Sequence, residues 1–556
     1  MTLRIRWLGR VRYQDGLALQ RALFRAGNGR DDWLLLLEHG PVYTLGVRAR
    51  SDHLLVEPDL VGAELVRADR GGDVTYHGAG QLTGYPIVSV PAGPGSTPAY
   101  VHGLEQLVID TLSDVGLAGA ARLPGYPGVW VDVETAHPRK ICAIGVRLSR
   151  GRSMHGFALN VDPDLHMFDH IVPCGIPDKA VTSLAAEGVR ASMRDVVDAA
   201  SQRAAQRWGK GPVERQDLAW RVRPDDQSPF TRGQGPGTPV RLLGRLAEAG
   251  VDPAGGLDLQ ERKPEWLRAR AHMGAEYRSL KRTMRSLQLV TVCEEAGCPN
   301  IYECWADGTA TFMINGDRCT RACGFCLVDT RKPLPPTHDE PGRVAEAVAR
   351  MGLAHAVVTA VARDDLPDGG AAAFATTIRA IHSRSPGVAV EVLIPDCRGE
   401  PSALQVIFDA GPEVLNHNLE TVVRLQRAVR PSASYARSLA VLARAKAAGL
   451  TTKSGLILGL GETEEEVIGA LADLRGCRVD IVTLGQYLRP TSHHLPVARW
   501  WTPAEFDRLK TVGEAMGIPH VESSPLTRSS YHARHAAAGI VPSRAAAASA
   551  GPGSFS

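Results

Sequence analysis

No apolar run in this chain approaches the roughly 20 residues that a membrane-spanning helix needs. The longest, Trp33–Leu37, runs into Glu38-His39-Gly40 and suits a buried strand. Neither sign of charge is in excess. Lys and Arg number 63 against 60 Asp and Glu, a formal net charge of +3, so no basic field points to nucleic acid. No repeat at a fixed period is visible, which argues against solenoids and propellers. The Gly-Lys-Ser/Thr ending of a phosphate loop is missing. Cysteine is scarce outside one stretch, and no secretory signal is visible, so a disulfide framework is not expected and the chain reads as cytoplasmic. The two C-x2-C pairs of a usual zinc site are missing as well.

What is present is bulk enough for two or more domains, at about 150 residues each. The chain has 556 residues, 44% of them apolar, an ordinary fraction for a buried core. The Arg-rich first residues mimic a transit peptide, but Asp15 and the early onset of strand and helix pattern point to folded structure.

Six of the ten cysteines fall at Cys293, Cys298, Cys304, Cys319, Cys323 and Cys326, spaced C-x4-C-x5-C and C-x3-C-x2-C. Triads of thiols spaced in this way suit cubane iron–sulfur clusters, each leaving one iron for another ligand.

Residues 1–210 alternate short apolar runs with helical pattern, a mixed α/β domain. Strands are expected at Trp33–Leu37, Val74–Tyr76, Tyr85–Val90, Val129–Val133, Ile141–Leu148 and Phe157–Val161. Helices are expected at Leu17–Ala26, Ala99–Val115 and Met193–Trp208. The densest chemistry is the loop Arg70, Gly71, Gly72, Asp73, Val74, Thr75, Tyr76, His77, continuing to Gln81. Its glycines permit close backbone approach to a ligand, although a plain turn explains them equally. Further on, Cys174 sits between Pro173 and Gly175. A thiol in such a loop becomes a nucleophile beside a cation, and Lys140 is available for that part. The alternative for a lone cysteine is a small buried hydrophobe.

The motifs RGGDVTYHGAGQ, KICAIGV, HGFALNV and VPCGI, in this order, resemble the lipoyl (octanoyl) transferase family over about residues 5–210. The resemblance implies a fold of the biotin and lipoate protein ligase kind. It implies octanoyl transfer from acyl carrier protein to a protein lysine through a thioester on Cys174, with Lys140 as the catalytic partner. Substrate-lining positions would be Arg70 to His77, Ala143, Ile144, Gly145, Gly156, Phe157 and Ala158. Ala79 departs from the family, which has Pro there.

Residues 211–260 read as a linker and lead-in, rich in Pro, Gly, Arg and Asp. Residues 261–535 then show strand pattern at Thr311–Ile314, Ala356–Val361, Val388–Ile394, Val414–Leu419, Thr452–Leu458 and Asp480–Gln486, with helical pattern between. Six such units predict a partial (β/α)6 barrel of the TIM type, with function on the loops after the strands. Cys319–Cys326 lies directly after the first strand. Residues 536–556 read as a disordered tail.

C-x3-C-x2-C is the signature of radical S-adenosylmethionine enzymes. With the upstream triad, VVTAVARDDLPDGG, LNHNLETV, GLILGLGET, QYLRPT and RSSYHA, the segment resembles lipoyl synthase. That resemblance implies two 4Fe–4S clusters and S-adenosyl-L-methionine. Cys319, Cys323 and Cys326 would hold the cluster that reduces the cofactor. Cys293, Cys298 and Cys304 would hold a second cluster, with Ser529, or else Ser530, as fourth ligand, and that cluster would donate two sulfurs to C6 and C8 of a bound octanoyl chain. Ala362 departs from the family, which has Asp there.

Together the halves imply a bifunctional lipoate-forming enzyme. Its expected partners are octanoyl-acyl carrier protein, lipoyl domains of 2-oxoacid dehydrogenase E2 subunits, the glycine cleavage H protein and an external electron donor, with neither nucleic acid nor membrane. A lipoyl synthase whose N-terminal half only docks the carrier, and a non-catalytic iron–sulfur sensor, stay open as alternatives. Cys142, Cys397 and Cys477 are expected in the core, and His493-His494 in a solvated loop.

Overall fold

A computed structural model describes residues 1–27, 31–91, 93–220, 239–268, a few positions between 282 and 291, 309–531 and 533–538. Cys293, Cys298, Cys304, the linker positions 221–238 and the tail beyond 538 lie outside the described residues. The chain divides into two units, Met1–Leu218 and Ala219–Ser556.

The N-terminal unit is built on a mixed sheet. Its strands are β1 (Leu3–Val11), β2 (Asp32–His39), β6 (Gln81–Ile87), β7 (Ala121–Leu123), β8 (Tyr126–Val131), β9 (Arg139–Ser149), β10 (Arg152–Asn160), β11 (Ala180–Val181) and β12 (Val213–Asp217). They run in the order β12-β1-β2-β6-β10-β9-β8-β7, with β11 on β9. A smaller sheet orders β4 (Glu64–Arg67), β3 (Val42–Leu45) and β5 (Val74–His77). The helices Ser96–Asp114 and Met193–Trp208 pack on each other and against the large sheet. The second begins at a capping box, where Ser192 and Asp195 satisfy each other's backbone N–H groups.

Strand β1 was not among the expected elements. Leu3, Ile5 and Trp7 alternate as a half-buried strand should, but Arg4 and Arg6 lie between them. Both arginines are buried because Asp31 and Glu214 pair with them from distant segments. The same pairing explains why the first unit runs past residue 210. Strand β12 brings Glu214 alongside β1, parallel and in register.

In the C-terminal unit, seven parallel strands follow one another: β14 (Thr309–Ile314), β15 (His355–Ala360), β16 (Ala389–Leu393), β17 (Val414–Asn416), β18 (Thr451–Leu458), β19 (Ile481–Gln486) and β20 (His520–Ser523). A short β13 (Val290–Thr291) pairs antiparallel with β14. The six expected strands are present, and β20 adds a seventh. The helix before β20, Pro503–Ala515, opens on a capping box of Thr502 and Glu505, a signal legible in the sequence.

Alternation along each strand sorts side chains into two layers. Ala310, Phe312 and Ile314, with Val358, Val390 and Val392, pack outward with Phe374, Ile378 and Leu404. Thr311, Met313, Val357, Thr359 and Leu393 face inward and line a cavity. Cys142, Cys397 and Cys477 are buried, as expected.

Candidate functional sites

The first site is a cavity of about 260 Å³ in the N-terminal unit. Arg70, Gly71, Gly72, Asp73, Thr75 and His77 come to its wall from the β4–β5 turn and β5 itself. Lys140, Ala143, Ile144 and Gly145 come from β9, Gly156, Phe157 and Ala158 from β10, and Cys174 from a loop. Two predicted positions are not on the wall. Val74 and Tyr76 alternate with Thr75 and His77, so strand geometry sends them to the opposite face. There they pack with Tyr43 and Phe168 in a separate core. Val74 and Tyr76 therefore support the wall from behind and do not line it.

Glycine is required where β10 crosses β6. A Cβ on Gly156 would lie 2.1 Å from the Gly84 carbonyl oxygen, and one on Gly84 would lie 2.2 Å from the Phe157 ring. That close approach lets the Phe157 ring lie against the β6 backbone. Ala79 is exposed, at the tip of the turn closed by the Gln81 N–H on the Gly78 carbonyl, and is absent from the cavity wall.

Arg70 is buried and points away from solvent. Its guanidinium donates to the Thr44 carbonyl at 2.6 Å, the Thr44 hydroxyl at 2.7 Å and the Gly71 carbonyl at 3.1 Å. It braces the glycine loop. Lys140 is buried, with its ammonium 4.6 Å from the centre of the Trp130 ring, a cation–π contact. Cys174 has φ = 56° and is followed by Gly175 at φ = 71°, a left-handed pair that turns the chain sharply. For a non-glycine residue that conformation costs about 1–3 kcal/mol, which the surrounding structure must offset.

The floor of this cavity escaped the sequence reading. Tyr13, Thr83, Tyr85 and His155 line it along with His77. His77 Nδ1–H donates to Gln81 Oε1, 2.8 Å away, and its ring stacks on Tyr13 at 5.8 Å. Behind it, His39 bonds the Tyr85 hydroxyl at 2.7 Å. Burial lowers the His77 pKa well below the usual histidine value and takes His39 down to about 4, so both rings are neutral near neutral pH. His155 bonds Asp69 at 2.9 Å, and that bond holds Asp69 below the usual carboxylate range. Apart from the His77–Gln81 bond, these contacts join residues distant in sequence, which no local pattern announces.

The second site is a cavity of about 420 Å³ at the C-terminal ends of the barrel strands. Cys319, Cys323 and Cys326 line it, and so do Ser529 and Ser530 from the segment after β20. Ser529 accepts a hydrogen bond from Asn418 Nδ2 at 2.7 Å. Burial pushes all three thiols up, Cys323 to about 11 and Cys326 to about 12. Such thiols stay protonated until a metal displaces the proton. Cys319 Sγ accepts from the backbone N–H of Arg321 at 3.4 Å and of Ala362 at 3.3 Å, the polar surroundings that suit a thiolate. Among the described residues, no three His, Cys, Asp or Glu side chains converge as a single-ion site would. A cluster spreads its thiolates over several irons, so the three cysteines need not meet at one point.

The cysteine loop is clamped from outside the motif. Arg321 donates to both oxygens of Asp364 at 2.7 Å and to the buried Asp396 at 2.6 Å. Thr320 donates to Asp364 at 3.0 Å and to the Ala362 carbonyl at 2.9 Å. At Ala362 the backbone makes these contacts, so the departure there leaves the clamp intact. His494 is buried and bonds the Cys326 carbonyl at 3.0 Å. The expectation of a solvated His493-His494 pair is therefore corrected for His494, whose partner lies far away in sequence.

The two sites define the class. A lipoyl protein ligase A/B catalytic domain profile matches residues 12–205, a radical SAM superfamily profile matches 313–474, and the N-terminal domain of lipoyl synthase of the radical SAM family matches 255–298. The chain is 59% identical over 273 residues to the lipoyl synthase of Rubrobacter xylanophilus, covering 49% of this chain and 85% of that protein. It is 56% identical to the lipoyl synthase of Mycobacterium tuberculosis, covering 49% of this chain and 88% of that protein. Through this C-terminal half the chain belongs to the lipoyl synthase family. Among solved structures it is similar to lipoate-protein ligase A bound with ATP, at 19% identity and a TM-score of 0.33, covering 40% of this chain and 90% of that one. It is also similar to methylornithine synthase, at 12% identity and a TM-score of 0.30, covering 52% of this chain and 87% of that one. A radical SAM lipoyl synthase implies S-adenosylmethionine and 4Fe–4S clusters. No helix among the described residues is long and apolar enough to cross a membrane.

Proposed function

We propose that the chain makes the lipoyl group in two steps. The N-terminal unit transfers octanoyl from acyl carrier protein to the lysine of a lipoyl domain through a Cys174 thioester. The C-terminal unit inserts sulfur at C6 and C8 of that chain. The observation that carries the reading is that Cys174, Lys140 and the glycine loop, drawn from separate segments, meet on one cavity wall with Phe157 and Ala158 beside them.

In the first step the thiolate of Cys174 attacks the incoming thioester, and the carrier leaves as a thiol. The Lys140 ammonium stabilises that thiolate by charge. Apolar lining holds the acyl tail, at about 0.8 kcal/mol per buried CH2. The lysine amine then takes the acyl group as an amide, which makes the second transfer downhill.

In the second unit Cys319, Cys323 and Cys326 would hold one 4Fe–4S cluster, and Cys293, Cys298 and Cys304 with Ser529 a second. When bound with S-adenosylmethionine, these groups supply radical hydrogen abstraction and the sulfur atoms. The chain's own residues position and enclose. Arg321, Asp364 and Asp396 fix the cysteine loop, and His494 fixes the Cys326 carbonyl. Asn418 orients the Ser529 hydroxyl. We place the chain in the cytoplasm, with acyl carrier protein, lipoyl domains of E2 subunits and H protein, and an electron donor as partners.

Anaerobic reconstitution followed by iron counting tests the second half of this reading. Two clusters predict about eight irons per chain. A value near four would mean that one triad is not a cluster site.

A further inference from the structure

Octanoyl transfer needs a proton acceptor that Lys140 does not conveniently provide. When the amine nitrogen attacks the Cys174 thioester, it must lose a proton to become an amide. Lys140, positively charged, is then occupied in stabilising the departing thiolate. With the acyl tail in the cavity, the lysine must approach from the outer side of the Cys174 turn.

A histidine stands at that turn. His53 bonds Asp73 through Nδ1 at 2.8 Å, and both side chains are only partly exposed. A Cβ on Gly175 would lie 2.7 Å from Asp73 Oδ2 and 3.3 Å from His53 Cε1, so the pair packs directly under the residue that follows Cys174. The backbone fixes this arrangement. The Val172 N–H donates to the His53 carbonyl at 2.8 Å, and Leu54 bridges antiparallel to Ile171. The segment carrying His53 is thus tied to the residues leading into Cys174. Asp73 lines the acyl cavity while His53 does not, so the imidazole lies beyond the cavity wall. Accepting the Nδ1 proton, Asp73 leaves Nε2 as the basic nitrogen. No partner for Nε2 is present among the described residues. Arg50 and Asp52, the neighbouring charges on the same segment, pair with each other at 2.7 Å.

We propose that His53, oriented by Asp73, is a further catalytic residue that takes the proton of the incoming lysine amine. The inference rests on the octanoyl-transfer reading and adds a group to it. The neutral amine forms a C–N bond to the thioester carbonyl carbon, and its proton passes to His53 Nε2. The C–S bond breaks, and Cys174 leaves as thiolate beside Lys140. His53 then returns its proton to water.

The test separates the two half-reactions in the full-length chain. Cys174 is acylated with S-octanoyl-N-acetylcysteamine, and the adduct is followed by intact mass as a recombinant lipoyl domain is added. His53→Ala and His53→Gln are expected to form the adduct but to discharge it about a hundredfold more slowly, the lower end of what general base catalysis supplies. Added imidazole should restore discharge in His53→Ala, and the low-pH limb of the discharge profile should disappear in both variants. Gln keeps an N–H for Asp73 but has no basic nitrogen. If His53→Gln discharges at the wild-type rate, His53 only braces the turn and the proposal is overturned. Unchanged discharge in His53→Ala overturns it equally. If the wild-type chain forms no Cys174 adduct, the octanoyl-transfer reading fails, and the inference with it.

Discussion

Replacing Lys453 by Met removes the cation from the floor of the barrel. Lys453 on β18 and Glu391 on β16 are both fully buried, with the ammonium 3.0 and 3.3 Å from the two carboxylate oxygens. His355 lies 3.5 Å from the same carboxylate, and Asn416, whose side chain also reaches the cavity, donates to it at 3.3 Å. Burial alone would raise the Glu391 pKa, but Lys453 and His355 outweigh it and hold the carboxyl below the usual glutamate range. Without Lys453 the carboxylate is a buried charge lacking its main partner, which costs about 3–5 kcal/mol. That corresponds to a loss of roughly a hundredfold to a few thousandfold in amide protection. Hydrogen exchange on β16 and β18 reads this unit alone, avoiding the ambiguity of unfolding a two-unit chain. The penalty should shrink as pH falls and Glu391 takes a proton. The double variant Lys453→Met with Glu391→Leu should recover to within about 1 kcal/mol of the parent, since the stranded charge is gone. A single-variant loss below about 1 kcal/mol, or a double variant as weak as the single, would mean that Lys453 does not offset a buried Glu391 charge.

Three further outcomes follow from the same contacts. His39 is fully buried and its pKa is lowered to about 4, so the unfolded chain binds its proton first as pH falls; this ring should contribute about 3 kcal/mol to the loss of the N-terminal unit's stability between pH 6.5 and 4, and His39→Gln should remove that share, leaving the share of the buried His77, in a pH-dependent denaturation series. Phe157→Ala should lengthen the accepted acyl chain, with each added methylene gaining up to about fourfold in competition assays of octanoyl against decanoyl donors. His494→Ala removes the hydrogen bond to the Cys326 carbonyl and should speed iron loss to a chelator by about fivefold, read by absorbance at constant chelator concentration.

Much of this fold was legible because its signals were local. Strand and helix alternation in the second half announced a barrel, and the placement of Cys319 after its first strand followed from that. The helix Met193–Trp208 was readable to the residue because its Ser192 cap, apolar spacing and terminal Gly209 all agree. What escaped depended on distant partners. Arg4 and Arg6 disguised β1 because Asp31 and Glu214 were not visible as their counter-charges. His494 read as surface because the carbonyl it serves belongs to Cys326. Val74 and Tyr76 came into the expected site with their motif, yet a strand's two-residue period divides that motif between a cavity and a core. Ser529 and the Cys319 loop share a cavity because β14 and β20 belong to one sheet that sequence spacing does not reveal.

On the proposed function, one chain carries two separable chemistries acting on one acyl group. The decisive measurement gives the reconstituted chain, with S-adenosylmethionine and a reductant, two substrates in parallel. One is an unmodified lipoyl domain with octanoyl-acyl carrier protein, and the other is a lipoyl domain already octanoylated. The parent chain is expected to lipoylate both, by mass, whereas Cys174→Ala should lipoylate only the second. Lipoylation of the unmodified domain by Cys174→Ala, or failure of that variant on both substrates, would contradict it.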